Sequence, residues 1–559
     1  MENKNENTKN CRQCKNQNGM VSVYFTVCTA VIQRGDIHAA EIRIHSSVIL
    51  RSVFIQFRFR NAISKYSVYF RKKKQLICLF FLHLVQSTIL ISLKKSDLLI
   101  IEQNKQFERA TSMSKILIQN ATIVNEDQIY NADLKISDGF IEQIGSNLGT
   151  RDADTFFNAE GLYLLPGVID DQVHFREPGN THKATIATES RAAVAGGTTS
   201  FMDMPNTNPQ TVSQAEFNHK MEIGKATSIA NYAFFLGATN SNLEEIKKTD
   251  PKACPGIKIF MGSSTGNMLV DQGKALEDIF RESPVLIATH CEKPEIISAN
   301  EQKAREKYGD DVPVSEHPNI RSREACVESS KIAFELAKKY HANLHILHLS
   351  TKEEVELLKE FQNTPFNDKK ITAEACLPHL IFTDRDYDTL GTRIKCNPAV
   401  KTKEDQEALI WALKNNVIDL VATDHAPHLE SEKNNTYFKA PSGIPVIQYS
   451  LISLLELYHR HQLSLQDIVR LTAHNVARRY RIADRGFIRE GYRADLALVN
   501  LNSENTVTRD KLFSKCRWSP FEGRTFHSEI FATFVNGNPV YREGKIIEGI
   551  SGEPLTFSR

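Results

Sequence analysis

Short apolar runs alternate with longer amphipathic stretches between residues 167 and 427 of this 559-residue chain. The runs are rich in aliphatic and β-branched residues, which is typical of buried strands. They span residues 167–175, 198–206, 231–239, 256–260, 284–292, 343–350, 371–379 and 419–427. Helical patterns separate most of them, as at 322–340 and 403–415. Eight strands alternating with helices predict an α/β fold of the (β/α)8 TIM-barrel type.

A doubly wound open sheet is the alternative fold. The chain contains neither a GxGxxG fingerprint nor a Walker loop that would favour it. Short β segments flank the alternating region on both sides, and Asp138-Gly139 and Asn536-Gly537 are strong hairpin signals there. The predicted domains are a barrel over residues 167–480 and a small β-sandwich formed from both ends of the catalytic region, 113–166 and 481–559.

Residues 1–112 differ in character from the rest of the chain. They carry 18 basic and 7 acidic side chains, whereas the remainder carries 51 and 60. The uncharged stretch 76–93 barely reaches the length of a membrane span and contains several polar residues, so a membrane anchor stays an alternative. Met113 opens an ordinary start for the domain that follows. We therefore expect residues 1–112 to be poorly ordered or not part of the working protein.

The overall composition narrows the class of protein. Hydrophobic residues make up 41% and charged residues 24%, as in soluble globular proteins. The net charge of +2 gives no reason to expect a nucleic-acid partner. Cys291, Cys376 and Cys396 lie in apolar or motif segments, as buried free thiols do in reducing cytosol. A cytoplasmic enzyme with a small-molecule substrate is expected.

Polar residues with metal-binding chemistry stand where several predicted strands end. Barrels of this type carry their active sites at that rim. Imidazole and carboxylate groups are ligands for zinc, and a lysine among them makes sense if CO2 has carbamylated it. Taken singly, each residue has a structural alternative: a hydrogen-bonded core histidine, a surface lysine or a helix-capping aspartate. The candidates are Gln172, His174, Lys258, His290, His348 and Asp424.

Seven motifs on successive strands carry a specific resemblance. They are GVIDDQVHFREPG, MDMPNTNP, KIFMGSSTGNM, THCE, HILHLST, KCNP and ATDHAPH. In this order they resemble the motif series of dihydroorotases, relatives of allantoinases and hydantoinases in the amidohydrolase superfamily. The resemblance covers roughly residues 113–550. It implies a barrel flanked by a small β-sandwich and reversible cyclisation of N-carbamoyl-L-aspartate to L-dihydroorotate, a step of pyrimidine synthesis.

The same resemblance implies a role for each metal-site residue. His174 would bind the more buried ion, and carbamylated Lys258 would bridge to a second ion held by His290 and His348. Asp424 would bind the buried ion and carry the proton. The expected cofactor is Zn²⁺, as one or two ions, because a bound metal lowers the pKa of water to near ~7. His345, the other histidine of its motif, is expected beside the site or in the core.

Four further residues match the family's substrate contacts. Dihydroorotate carries a carboxylate, and Arg176 offers it a bidentate fork. Asn206, Asn397 and His428 complete the set, although a neighbouring proline makes turn chemistry an alternative for both asparagines. Substrates of allantoinases and hydantoinases lack this carboxylate, so the set favours dihydroorotase over those enzymes.

Gln172 departs from the family pattern, which has histidine at this position. An amide oxygen is a weaker zinc ligand than imidazole, and Asp171 points to the opposite face of the strand. The alternative from another class is therefore a non-catalytic, dihydroorotase-like partner of aspartate transcarbamoylase. A homodimer or other homo-oligomer is the expected assembly.

Overall fold

The computed structural model describes residues 23–24, 45–46, 115–150, 153–262 and 268–559. The chain divides into two units, Met1–Arg109 and Ala110–Arg559. In the first unit, β1 (Val23–Tyr24) pairs antiparallel with β2 (His45–Ser46). The apolar run at 76–93 lies outside the described residues. Among the described helices, none is both long and apolar enough to cross a membrane.

The second unit begins with strands of a mixed sheet. They are β3 (Lys115–Asn125), β4 (Gln128–Ser137), β5 (Phe140–Gly145), β6 (Thr155–Asn158) and β7 (Tyr163–Pro166). The predicted hairpin at Asp138-Gly139 is confirmed, since β4 pairs antiparallel with β5 around it. Both turn residues have positive φ, 57° and 84°, as a tight two-residue turn requires.

Every one of the eight predicted runs contains a strand, and the third is interrupted at Phe235. These strands are β8 (Val168–Val173), β9 (Thr198–Asp203), β10 (Asn231–Phe234), β11 (Leu236–Gly237), β12 (Gly256–Phe260), β13 (Leu286–His290), β14 (Leu344–Ile346), β15 (Ile371–Cys376) and β16 (Leu420–Ala422). They pair in parallel and in chain order, as one arc of β8 to β10 and one of β11 to β16. A parallel bridge between Val173 and His425 brings the end of the last strand back beside the first.

Helices follow most of these strands. They are α1 (Ile186–Ala195), α2 (Gln214–Thr227), α3 (Leu243–Lys247), α4 (Gly273–Glu282), α5 (Pro294–Tyr308), α6 (His317–Ile320), α7 (Arg323–Tyr340), α8 (Lys352–Leu358), α9 (Leu377–Ile381), α10 (Tyr387–Leu390), α11 (Lys403–Lys414), α12 (Glu430–Lys433), α13 (Ser450–His459), α14 (Leu465–Val469) and α15 (Asn475–Tyr480). The predicted helices at 322–340 and 403–415 are confirmed as α7 and α11. Ser322 and Thr402 cap their N-termini by accepting a hydrogen bond from a backbone N–H of the first turn.

The end of the chain returns to the first sheet. The remaining strands are β17 (Leu496–Asn500), β18 (Asn505–Thr506), β19 (Thr525–Phe526), β20 (Glu529–Val535), β21 (Asn538–Arg542) and β22 (Lys545–Ile546). β17 lies between β7 and β20, so strands from both ends of the unit share one nine-stranded sheet. Its buried face packs residues such as Ile118, Leu164 and Phe534 into a core of its own. The two-layer form of the expected β-sandwich stays a prediction.

The two hairpin turns of this sheet lie against each other. A Cβ atom added to Gly139 would stand 2.8 Å from the carbonyl oxygen of Asn536, and one added to Gly537 would stand 2.6 Å from the Cα of Gly139. Glycine is therefore required at both turns for close approach as well as for positive φ.

Candidate active site

The carboxyl ends of the parallel strands bring the sequence-predicted residues together. Nine of the ten line a single cavity, and His428 is the exception. The nine are Gln172, His174, Arg176, Asn206, Lys258, His290, His348, Asn397 and Asp424. Phe260, Ala426, Ser442 and Gly443 complete the wall. Side chains from six strands thus converge with Asn397 from a loop, because parallel strands in chain order place their carboxyl ends on one rim.

His174 and Asp424 form the first pair of possible metal ligands. His174 follows β8, and its Nε2 lies 3.1 Å from Asp424 Oδ1. Its other nitrogen, Nδ1, lies 2.7 Å from Asn206 Oδ1. When Nδ1–H donates to this oxygen, the lone pair of Nε2 faces a carboxylate. Two electron-rich atoms at this distance are stable only with a cation between them, and a proton or a divalent metal fits.

His290 and His348 form the second pair. His290 Nδ1 lies 2.8 Å from His348 Nε2. On its other side, His290 Nε2 lies 2.9 Å from Glu292 Oε2. Burial lowers the pKa of both histidines below their usual range, so both imidazoles are neutral. Neutral imidazoles facing each other across this distance are suited to bind a metal.

Glu292 orients His290, and sequence reasoning missed it. Its carboxylate also forms an ion pair with Arg321. Burial raises the pKa of Glu292, but Arg321 and His290 outweigh that effect and hold the pKa at about 2. The ionised carboxylate accepts the proton of Nε2 and leaves the Nδ1 lone pair facing the cavity. The sequence signal for Glu292 was its place in the THCE motif, two residues after His290.

Lys258 lies on β12 and is 1% exposed. Burial lowers its pKa to about 8, although Asp424 and Glu374 act in the opposite direction. Its ammonium forms no ion pair with any carboxylate in the part of the chain that the structure describes, and lies 4.7 Å from the ring centre of Phe260. A buried amine with this pKa is partly neutral near pH 8, which is the form that reacts with CO2.

Arg176 is the cation aimed at a possible anionic substrate. It is 5% exposed, and its Nε donates to the carbonyl oxygen of Pro427 at 3.0 Å. Burial lowers its pKa to about 10, yet it remains charged at neutral pH. Across the described residues no carboxylate forms an ion pair with it. A buried guanidinium without a fixed counter-ion, on a cavity wall, is suited to bind a carboxylate of a ligand.

His428 does not line the cavity. Its Nε2 lies 3.0 Å from Arg176 Nη2, and its Nδ1 lies 2.9 Å from Lys183 Nζ. Burial and these two cations lower the pKa of His428 well below its usual range, so the ring is neutral. The structure therefore places His428 behind Arg176, where it positions the guanidinium.

Gln172 lines the cavity, but its carbonyl oxygen is occupied. The amide nitrogen lies 3.3 Å from Asp424 Oδ1, and Oε1 accepts a hydrogen bond from Cys376 Sγ at 3.3 Å. In this orientation the amide presents a donor rather than an oxygen ligand to the cavity. The other five expected ligands fit a divalent metal, and Gln172 does not.

Three site residues have left-handed backbone conformations. The φ angles are 68° at Arg176, 41° at His348 and 49° at Asp424. Residues other than glycine adopt the left-handed region at a cost of about 1–3 kcal/mol each, and they concentrate at functional sites. The fold therefore maintains backbone strain at the three positions that aim these side chains.

A second group with metal-ligand spacing is formed by Asp171, His345 and Glu374, whose ligand atoms lie within 4.8 Å of one another. All three are fully buried and none of them lines the cavity. Tyr480 donates to Asp171 Oδ2 at 2.9 Å. Burial raises the pKa of Glu374 to about 8 and that of Asp171 well above its usual range. The group packs beside the candidate site, as expected for His345, but sequence reasoning did not anticipate that Asp171 and Glu374 meet it.

The chain is similar to known hydrolases along most of its length. Residues 163–540 match a family model described as "Amidohydrolase family". An allantoinase of Desulfitobacterium hafniense is 30% identical over 458 residues, which cover 79% of this chain and 98% of that protein. A dihydroorotase of Methanosarcina mazei is 33% identical over 420 residues, which cover 74% of this chain and 91% of that protein.

The chain is also similar to solved structures of hydrolases. The L-hydantoinase (dihydropyrimidinase) from Arthrobacter aurescens superposes with a TM-score of 0.75 at 25% identity, covering 79% of this chain and 99% of that one. The dihydropyrimidinase from Brevibacillus agri superposes with a TM-score of 0.72 at 26% identity, covering 80% of this chain and 100% of that one.

Proposed function

Because this chain belongs to the amidohydrolase family, we propose that it is a metal-dependent cyclic amidohydrolase, and specifically a dihydroorotase. It would interconvert N-carbamoyl-L-aspartate and L-dihydroorotate. The named relatives support a cyclic amidohydrolase, and they include both dihydroorotases and allantoinases. The choice between them depends on the chemistry of the cavity wall.

Arg176 carries the proposal. It is a buried guanidinium with no carboxylate partner among the described residues, and it lines the same cavity as His174 and Asp424. Dihydroorotate brings a carboxylate that would satisfy this charge. Allantoin and hydantoin bring none, and would leave a buried cation unpaired at a cost of several kcal/mol. Asn397, whose Oδ1 has no hydrogen-bond partner among the described residues, offers the substrate an acceptor beside it.

The metal would be held by His174, Asp424, His290, His348 and the carbamate of Lys258. When bound there, a divalent ion such as Zn²⁺ would supply Lewis acidity and lower the pKa of water toward neutral pH. Asp424 lies on the cavity wall, 3.1 Å from His174 Nε2, and would take a proton from the attacking water and return it to the leaving ring nitrogen. Asn206 fixes the tautomer of His174, and Glu292 fixes that of His290.

The two parallel arcs of strands would form one closed barrel. The bridge between Val173 and His425 supports this closure, as does the similarity to the hydantoinase structure. A cytoplasmic location is proposed with it, because the six described cysteines are all buried and free.

A second function is favoured by one observation. The carbonyl oxygen of Gln172 accepts from Cys376, so the site near His174 holds a metal through fewer groups than the family pattern provides. A non-catalytic, dihydroorotase-like partner of aspartate transcarbamoylase would keep the fold and lose the metal.

Assays of the purified protein against dihydroorotate, hydantoin and allantoin, with bound metal counted in parallel, separate these functions. We expect metal in the protein and turnover of dihydroorotate above the other two. Equal or faster turnover of allantoin or hydantoin would rule out the dihydroorotase assignment. Folded protein with no turnover of any of the three, at full metal loading, would favour the non-catalytic partner.

A further inference from the structure

A large groove lies at the opposite ends of the strands that carry the candidate active site. Its volume is about 900 Å³, and its wall includes Leu286, Asn343 and Lys370, which stand at or just before the starts of β13, β14 and β15. His290 ends β13 at the candidate active site. Four residue steps along a strand span roughly 13 Å, so the two sites are separated by the length of the sheet.

The charge of this groove is strongly positive. Eight lysine or arginine side chains line it, against the single side-chain carboxylate of Asp368. Three of the eight are neutralised by ion pairs: Lys369 with Asp419, Arg485 with Asp495, and Arg489 with Glu126. The other five have no side-chain carboxylate within ion-pair distance among the described residues. They are Lys370, Arg478, Arg479, Arg481 and Arg559.

Three of these arginines lie close enough for their charges to interact: Arg479, Arg481 and Arg559. Arg479 donates through Nη1 to the carbonyl oxygen of Lys369 at 3.1 Å and through Nη2 to those of Leu344 and Lys370 at 2.8 and 3.1 Å. Arg559 donates through Nη1 to the carbonyl oxygen of Cys254 at 3.4 Å and through Nη2 to those of Pro255 and Tyr480 at 2.8 and 3.1 Å. These carbonyl groups fix the guanidinium groups but carry no negative charge. The Nε of Arg479 is buried and has no hydrogen-bond partner among the described residues.

The proximity of these arginines affects the pKa values of Arg479 and Arg559. Burial, together with the neighbouring charges of Arg559 and Arg481, lowers the pKa of Arg479 to about 10, although Tyr480 and Asp419 act in the opposite direction. Burial and Arg481 also lower the pKa of Arg559. Like charges held together in a partly buried site are unfavourable unless an anion compensates them. A guanidinium fork binds phosphate oxygens with two parallel hydrogen bonds.

Three aromatic residues line the groove, Phe366, Phe487 and Tyr492, and the ring of Phe487 lies among the arginines. Phe487 is stacked on His474 at a centroid distance of 4.5 Å, and Arg489 lies 4.2 Å from the centre of the same ring. Both faces of this ring are therefore used within the protein. Single-stranded nucleic acids bind to grooves that offer free aromatic rings to their bases. The ring of Phe487 offers no free face, and the positive charge of the groove favours phosphate groups.

We propose that the groove binds a small polyphosphate anion, with the charge of a triphosphate, through direct contacts from Lys370, Arg478 and Arg481, while the fixed guanidinium groups of Arg479 and Arg559 add positive charge. Its volume is in the range of pockets that hold small ligands. The shared ligand chemistry is the phosphate chain, whether it comes from a nucleoside triphosphate or from inorganic polyphosphate. The proposal is independent of the reaction at the other end of the strands.

Calorimetric titration of the full chain with ATP and with sodium tripolyphosphate, in EDTA and low salt, tests the proposal. Both should bind saturably with affinities within a few-fold of each other. The double variant Lys370→Glu/Arg481→Glu should bind each at least tenfold more weakly. Both side chains are exposed and make no hydrogen bond or ion pair among the described residues, so the variant should fold. Should it not, Arg481→Gln alone provides the same comparison.

The matched control is Lys274→Glu/Lys303→Glu, which makes the same charge change on the exposed faces of α4 and α5. It should leave both affinities within twofold. Much tighter binding of ATP than of tripolyphosphate would still place a triphosphate in the groove and would assign the source to a nucleotide. Absence of saturable binding, an equal loss in the control, or binding of a single-stranded oligonucleotide without binding of ATP would each overturn the proposal.

Discussion

The amide nitrogen of Gln172 lies 3.3 Å from Asp424 Oδ1, on the wall of the cavity where a metal ligand is expected. The contact uses one oxygen of the carboxylate that also faces His174. Gln172 therefore competes for Asp424 with any ion held between these two residues. The second pair, His290 and His348, has no such competitor among the described residues, and the two halves of the site should differ in how firmly they hold metal.

Metal analysis of Gln172→His tests this difference. After mild chelation and dialysis, the unmodified protein should retain fewer than two ions per chain, and the variant should retain more, because imidazole binds zinc more tightly than an amide. The control is Gln302→His on the exposed face of α5, which adds a histidine without a site. Two firmly held ions in the unmodified protein, unchanged in Gln172→His, would mean that an unidentified group completes the site.

Lys258→Ala should abolish turnover, because the proposed carbamate between the two halves of the site cannot form without the amine. Lys303→Ala, an exposed lysine on α5, should leave turnover unchanged. Addition of a short carboxylic acid should restore part of the activity of Lys258→Ala by placing a carboxylate in the space. Full activity of the alanine variant would show that no carbamate is needed.

The pKa of Lys258 also predicts how activation depends on pH. With a pKa of about 8, roughly a tenth of the amine is neutral at pH 7 and roughly nine-tenths at pH 9. Metal-free protein incubated with metal at a fixed concentration of dissolved CO2 should therefore gain activity several-fold faster at pH 9 than at pH 7. A rate of activation that is constant over this range would contradict the assigned role of the neutral amine.

Arg176→Ala should weaken the handling of dihydroorotate far more than that of an uncharged cyclic ureide. Loss of a charge-assisted contact to a carboxylate costs about 1.5–3 kcal/mol, which is about tenfold to more than a hundredfold in kcat/KM. Arg191→Ala, which removes a partly exposed ion pair with Glu548, is the control. Equal losses on charged and uncharged substrates would make Arg176 a structural residue.

Glu374→Gln should change how stability depends on pH. Burial raises the pKa of Glu374 to about 8 in the folded protein. Because this pKa is raised, the contribution of the Glu374 carboxyl to stability is fully present below its pKa in the unfolded chain, near 4.5. The contribution is lost as pH rises toward 8. The uncharged amide removes this loss. Urea titration of chelator-treated protein measures the free energy of unfolding of the variant and of the parent. The difference, variant minus parent, should increase from pH 5 to pH 8. A constant difference would mean that Glu374 is ionised in the folded protein over this range.

Deletion of residues 1–112 should leave a soluble protein with full activity, since each candidate site residue lies beyond Met113. Size-exclusion chromatography and the dihydroorotate assay on matched amounts of both chains test this expectation. An inactive or insoluble truncated protein alongside an active full chain would make the segment part of the working fold.

Much of the fold and most of the site could be predicted from sequence because their signals are local. Asp138-Gly139 requires positive φ at both positions, and that requirement predicts the turn without any knowledge of the sheet. Likewise, His174 and Asp424 each follow an apolar run, and a parallel sheet places the ends of such runs together.

The contacts that could not be predicted depend on distance along the chain. Arg321 reaches Glu292 from a loop 29 residues away. Tyr480 reaches Asp171 across 309 residues. His428 belongs to a site motif, yet its hydrogen bonds hold Arg176 from behind, and only the relative placement of the two loops determines which of these side chains reaches the cavity.

The pairing of β7 with β17 has a consequence for how the protein is made. One edge of residues 163–166 lies beside β3, and the other finds its neighbour in residues 496–499, more than three hundred positions later. During synthesis, β7 leaves the ribosome with its open edge exposed and remains so until almost the whole chain has emerged. Open strand edges promote association between chains. Nascent copies stalled before Leu496 should therefore depend on chaperones, whereas copies released after β20 can complete the sheet unaided.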